Sequence, residues 1–226
     1  MFSIYAVEDG TIYYEREVND PESCHLEVVS YQIASGQKKV VSTDAAMAPI
    51  NLNSKYIVRY KNEDGSATVQ IEEAEKHSIK SLRVDATFSD YCYTYVLDDV
   101  LYMINLDMDA WQSTIYKIDA ENGSILKKNV IDGFISSSVF YHGLLCFYSS
   151  KEDKDESVTN EKISVYNFSS DQVSLLTNIV VAGWDHLRGA QIEAGCGYLW
   201  VYCRYGGDGF YADYIDRIKI PPKWYQ

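Results

Sequence analysis

The chain has 226 residues, 46% hydrophobic and 23% charged, the composition of a folded globular protein long enough to bury a full core. Its formal net charge of −13 is the opposite of the clustered Lys and Arg that displace counterions from a duplex, and it weighs equally against an anionic membrane surface. Nucleic acid and membrane are therefore excluded as expected partners, and a cationic partner, or one not selected by charge, is left.

Taken in chain order, the predicted elements are nearly all strands. The first unit has strands over 2–7 and 11–17 around the tight hairpin Glu8-Asp9-Gly10, then 25–33 and 38–42 around Ala34-Ser35-Gly36. The second runs through 48–52, 56–61, 67–72 and 79–84, and its charged stretch 71–81 is read as a strand end and turn rather than a helix. The third spans 91–97, 100–106, 113–119 and 125–131, with Asp98-Asp99 as its first turn. In the fourth, 136–141 and 144–148 flank His142-Gly143, followed by 162–168 and 172–180. The fifth has 190–194, Gly195-Cys196-Gly197, 198–204 and 213–220, where Pro221-Pro222 interrupts. Three endings are open: a short closing strand at 223–226, a last unit of three strands, or membership of a larger ring.

The third strands of the units centre on Tyr31, Val69, Tyr116, Tyr166 and Ile218, at spacings of 38, 47, 50 and 52 residues. A strand-and-turn repeat of this length indicates radial β-architecture. The expectation is an all-β fold, a β-propeller of about five blades of four antiparallel strands with the last blade incomplete. It forms one domain over 1–226, with blades near 1–44, 45–87, 88–132, 133–183 and 184–226. The 20 tyrosines and only 4 prolines suit it, since aromatic residues favour pleated surfaces.

The five cysteines form no Cys-x-x-Cys pair, and four sit in predicted strands, where free Cys behaves as a small buried apolar residue. An odd count without a framework argues for a reducing compartment. The first ten residues show no basic stretch followed by an apolar one, so a cytoplasmic location is expected.

Two stretches carry a likeness. Asp9-Gly10-Thr11-Ile12-Tyr13-Tyr14, followed by a third strand ending near Gly36, resembles bacterial relatives of the lipoprotein-receptor-type Tyr-Trp-Thr-Asp propellers. Leu101-Tyr102 through Ile115-Tyr116-Lys117-Ile118-Asp119-Ala120-Glu121-Asn122-Gly123 resembles the quinoprotein-type repeat, in which a strand ends in an Asp-Ala-x-x-Gly turn. The Tyr-Trp-Thr-Asp tetrapeptide and the tryptophan docking residues are missing. The resemblance therefore implies the architecture and no family active site.

If each blade runs outward from its first strand, the loops after second and fourth strands share one face. Those loops include Asp107-Met108-Asp109-Ala110-Trp111, the stretch 151–161, Gly183-Trp184-Asp185-His186, and the Asp residues 44, 85, 90 and 132. The opposite turns are expected to carry Lys38-Lys39, Lys76, Lys80, Lys127-Lys128 and Lys223. Such an asymmetry would steer cationic ligands to the acidic face.

Asp107-x-Asp109 offers two hard oxygen ligands but lacks the rest of a calcium-loop frame, and the four histidines lack metal spacing, so neither metal nor cofactor is expected. Tyr205-Gly206-Gly207-Asp208-Gly209-Phe210-Tyr211 has no helix after it and cannot cradle phosphate; it is read as a flexible loop offering aromatics, or as a wide hairpin that packs them. No nucleophile motif is present, and only the carboxylates Asp44, Asp90 and Glu193 could serve glycoside hydrolysis.

The expected function is a non-catalytic scaffold that binds a protein or basic peptide through Trp111, Trp184, His186, Tyr205, Phe210 and Tyr211, with Asp107, Asp109 and Asp185 as charge partners. The alternatives are a carbohydrate-binding propeller and, behind it, a glycoside-acting enzyme.

Overall fold

The computed structural model describes residues 2–8, 10–20, 23–42, 50–51, 56–73, 76, 78–151, 160–179, 186–207 and 210–224. For 2–8, 13, 15, 17, 19–20, 23–26, 28, 41–42, 50–51, 160, 186–190, 204–207 and 210–214 the description covers the backbone.

Strand follows strand along the chain. Antiparallel sheets are formed by β1 (Phe2–Glu8), β2 (Thr11–Asp20), β3 (Ser23–Gln32) and β4 (Lys38–Ser42), and by β6 (Tyr56–Glu63), β7 (Ser66–Glu73) and β8 (Ser78–Val84). A third holds β9 (Cys92–Leu97), β10 (Val100–Asp107), β11 (Gln112–Asp119) and β12 (Ile125–Ile131). The fourth is β13 (Phe134–Tyr141), β14 (Leu144–Lys151), β15 (Asn160–Asn167) and β16 (Gln172–Ile179), and the fifth β17 (His186–Gly195), β18 (Tyr198–Gly207) and β19 (Phe210–Lys219). Four of the five expected third-strand centres lie in the third strand of their antiparallel sheet, in β3, β11, β15 and β19, whereas Val69 lies in β7, the middle strand of the second sheet.

One expectation changes in detail, and one of the open endings is met. The short β5 (Ile50–Asn51), expected to open the second sheet, pairs in parallel with β9 instead. Residues Pro222–Trp224 form a single 3-10 turn, so among the described residues the last sheet has three strands.

The turns follow from residues able to take a left-handed backbone. Tyr141↔Leu144 and Gly195↔Tyr198 close two-residue hairpins over His142-Gly143 (φ 46° and 75°) and Cys196-Gly197 (φ 52° and 78°). Positive φ at both positions matches the right-handed twist of the flanking strands.

Burial falls from the second and third strands outward. Leu101, Tyr102, Met103 and Ile104 of β10 are all buried, so both faces of that strand are covered. The outer strands β8 and β12 are mostly exposed. The tyrosine excess has a packing use: Tyr95, Tyr102, Tyr116, Tyr148 and Tyr166 are all buried. Cys24, Cys92, Cys146 and Cys203 lie in strands, and the last three are buried; burial raises the Cys92 thiol pKa and pushes that of Cys146 up to about 12. Cys196 sits exposed in its turn.

The chain divides into two compact units, Met1–Leu106 with Thr114–Asn129, and Asp107–Ser113 with Val130–Gln226. In the first, a core joins Val58, Val69, Leu82, Val84, Phe88, Leu101, Met103 and Ile118. The link from β8 to β9 is held by side chains standing in for a ladder. The Asn62 amide accepts from the Phe88 N–H (3.0 Å) and donates to the Phe88 carbonyl (2.6 Å). Asn105 accepts the Ser89 N–H at 2.7 Å, and the Tyr60 hydroxyl donates to the Ser89 carbonyl.

In the second unit, Leu144, Cys146, Tyr148, Ile163 and Val165 pack against Ile192, Leu199, Val201 and Cys203. Hydroxyls bridge its strands: Ser137 Oγ accepts the Ile192 N–H (3.2 Å), and the Tyr141 hydroxyl accepts the Gly197 N–H (2.8 Å). The first strands of the fourth and fifth sheets, β13 and β17, each carry a bulge at their third residue, Ser136 and Arg188, a recurrence of local twist the sequence pattern does not announce.

Candidate functional site

The turn joining β10 to β11 brings Asp107, Asp109 and Trp111 together, as the sequence suggested. The Asp107 carboxylate accepts the Ala110 N–H at 2.9 Å, which closes the turn and gives Asp107 a structural task. Asp109 is exposed beside it. Trp111 then takes φ 50°, a backbone region that disfavours bulky residues.

Three other turns have the same shape, with positive φ four residues after the strand end: Gln32 to Gly36 (φ 69°), Asp119 to Gly123 (φ 81°) and Asn167 to Asp171 (φ 53°). Two of these use glycine and the third aspartate, residues suited to the left-handed region. A tryptophan there costs roughly 1 kcal/mol of backbone strain. Its ring stacks on Phe134 at 5.0 Å and 23°, yet Trp111 remains 36% exposed. Phe134 lies just before the strand expected over 136–141, so no local pattern signals this stack.

Beside Phe134, the chain is drawn tight. Gly133 accepts the Ser113 N–H through its carbonyl (3.1 Å), and Ser113 Oγ accepts the Ile135 N–H (2.8 Å). Asp132 accepts from Lys151 Nζ at 2.7 Å and Lys162 Nζ at 2.9 Å. Those two lysines hold the Asp132 carboxyl below the usual carboxylate range, Lys151 first. Asp132 was expected to add to an acidic face; here its charge is matched by the chain's own lysines.

A depressed carboxyl pKa stabilises the fold above the unfolded value and loses that contribution as pH falls through the folded one. Because these groups are largely exposed, Asp132→Asn is expected to cost less than about 1 kcal/mol at pH 7. The difference from the parent should shrink by about pH 3, where carboxylates protonate; urea unfolding at both pH values checks it.

Further expectations are corrected by the register. Lys38-Lys39, Lys80 and Lys127-Lys128 lie in the outer strands β4, β8 and β12 rather than in turns, where lysines guard open sheet edges. Lys76 is in a turn and pairs with Glu73 at 2.9 Å. Glu161, expected in a solvated loop, is in β15 and only 3% exposed.

Tyr205, Phe210 and Tyr211 are strand residues rather than members of an open loop. Gly206↔Tyr211 and Gly207↔Phe210 continue the β18–β19 ladder, and His186↔Gly206 brings His186 to the same end of that sheet. The backbone thus groups His186, Tyr205, Phe210 and Tyr211. Trp184 and Asp185 lie outside the described residues, as does Asp44. Asp90 sits in the bend before β9, and Glu193 is exposed in mid-β17.

One feature was open to sequence reasoning and missed: Tyr198, Trp200 and Tyr202 alternate along β18 and so share a sheet face.

No protein-family model matches the chain, and no curated protein sequence matches it. Solved structures are similar in fold. TolB from Acinetobacter baumannii is 11% identical over 93% of this chain and 53% of its own, at a TM-score of 0.50. An uncharacterized protein from Listeria monocytogenes is 8% identical over 91% and 61%, at 0.51. The β-propeller domain of the Trilobed protease from Pyrococcus furiosus is 11% identical over 96% and 82%, at 0.49. The chain thus spans about half of TolB. At such identities the likeness concerns the fold alone. The likeness to TolB and to the Listeria protein supports a propeller-type fold without singling out the quinoprotein-type relation.

Proposed function

We propose that this chain is a non-catalytic recognition module on a propeller-type scaffold of about five blades, binding a protein or peptide of basic character through the loop end that carries Trp111. The observation behind this reading is the exposed Trp111 ring on a backbone that would suit glycine better. Strain of this kind is retained where the side chain has a task. The stack on Phe134 fixes the ring, so a partner would meet a rigid aromatic anchor, the kind of residue that dominates interfaces.

Asp109 supplies the charge beside it, and the overall charge of −13 favours a cationic partner. Trp184, Asp185, His186, Tyr205, Phe210 and Tyr211 are the further contacts this reading assigns.

Trp111→Gly separates recognition from folding. Glycine relieves about 1 kcal/mol of strain while the lost stack costs roughly 0.5–1.5 kcal/mol, so stability should move by less than about 1 kcal/mol. Binding to an immobilised oligo-lysine peptide should weaken about tenfold or more. Unchanged binding, or no binding by the parent chain, refutes the reading.

A further inference from the structure

The sheet β17–β18–β19 has one face buried and one open. Ile192, Leu199, Val201 and Cys203 point into the core shared with β14 and β15. The alternate residues point the other way, and among them Trp200 is 43% and Ile215 71% exposed. Pairing across the strands arranges this face in rows: Gly195–Tyr198–Lys219, Glu193–Trp200–Arg217 and Gln191–Tyr202–Ile215. The middle row sets a carboxylate on one side of an indole and a guanidinium on the other. Arg217 is held in place by its own neighbours, with its guanidinium carbon 4.5 Å from the Tyr198 ring centre and 5.7 Å from that of Trp200.

This face is complementary to itself. A two-fold axis lying between two such faces and running along β18 reverses each row. It sets Glu193 of one copy over Arg217 of the other, twice, and Trp200 over Trp200. Gln191 then meets Ile215. Aligned sheets about 10 Å apart bring such side chains into contact, and the twofold relation makes the contact isologous and closed.

Charge favours this surface over others. The chain carries a net −13, which repels a second copy over most approaches. Among the described side chains of this face the charges are Glu193, Arg217 and Lys219, one negative and two positive.

We infer that the open face of the β17–β18–β19 sheet is a docking surface for a second copy of this chain, joined by reciprocal Glu193–Arg217 pairs around Trp200. The inference is independent of the recognition reading, which concerns the Trp111 turn.

Sedimentation velocity and native mass spectrometry of the full chain across a concentration series test it. The parent is expected to show a monomer–dimer equilibrium. Glu193→Arg and Arg217→Glu should each weaken it about tenfold or more, because like charges then face each other at both symmetric positions. The double variant Glu193→Arg/Arg217→Glu restores opposite charges and should recover the parent dissociation constant to within about threefold. Ile215→Arg, outside the charged row, should also give monomers. A parent that is monomeric at every concentration overturns the inference, and Trp200 shielded from acrylamide in that monomer would mean that another part of the same chain covers the face. A dimer indifferent to both charge reversals, or one not rescued by the double variant, overturns it as well.

Discussion

Replacing Gly123 by alanine is expected to lower the melting temperature by about 6–20 °C, from a loss of roughly 3–5 kcal/mol at about 2–4 °C per kcal/mol for a chain of this size. Two effects combine. Gly123 has φ 81°, a region that costs a residue with a Cβ roughly 1–2 kcal/mol. The added Cβ would also lie 2.2 Å from the Arg83 carbonyl oxygen and 3.0 Å from its carbon. Because those atoms are backbone, no rotamer change relieves the overlap, and the turn after β11 must move away from β8.

Gly65→Ala is the matched comparison. Its φ of 71° carries the same conformational penalty, but nothing lies within 4 Å of the new Cβ. A smaller fall, about 2–8 °C, is expected. Calorimetry of the three chains decides the point: equal shifts would show that the close approach of Gly123 to β8 contributes nothing.

Phe168→Ala is expected to cost about 3–5 kcal/mol, the range for deleting a buried phenyl group and leaving a cavity. Phe168 is 2% exposed and lies edge-on to Tyr166 at 5.2 Å, with Phe140 at 5.8 Å on another side. Its N–H donates to the Gly143 carbonyl at 3.1 Å, so the residue also fastens the end of β15 to the β13–β14 hairpin. Phe168→Leu keeps much of the volume and should cost about 1.5 kcal/mol or less. Val173→Ala on β16, 44% exposed, should stay within about 0.5 kcal/mol. Urea midpoints with unchanged slopes would establish the order. A Phe168→Ala chain as stable as Val173→Ala would mean that the aromatic cluster is not packed as described.

Much of the architecture was readable along the chain because the signals are local. His142-Gly143 sits between two strand-forming runs rich in apolar residues, and such a pair favours a tight reversal of the chain. The same holds for Cys196-Gly197 and for the Ala-Glu-Asn-Gly turn after Asp119, whose carboxylate accepts the Glu121 N–H at 2.7 Å. The candidate site was legible to a smaller extent. Asp107, Asp109 and Trp111 are close in sequence, so any turn keeps them together. The glycine-rich segment after Tyr205 left a flexible loop and a hairpin both open, because glycine permits an open loop and a strand end alike, and ladder pairing of β18 with β19 decided for the hairpin.

The sequence by itself determined strand and hairpin positions, since backbone conformation at turn residues and alternation of apolar side chains act over a few residues at a time, but not the sheet that β5 joins. Tertiary structure alone decided which groups meet across sheets. Ring packing brought Phe134 under Trp111, although 23 residues separate them. Lys151 and Lys162 reach Asp132 because the ends of β14 and β15 lie beside the β12–β13 link. The register of β17, β18 and β19 set Glu193, Trp200 and Arg217 in one row. Such contacts depend on strand register and on how one sheet settles against another, and a shift of a single residue would turn every side chain to the opposite face.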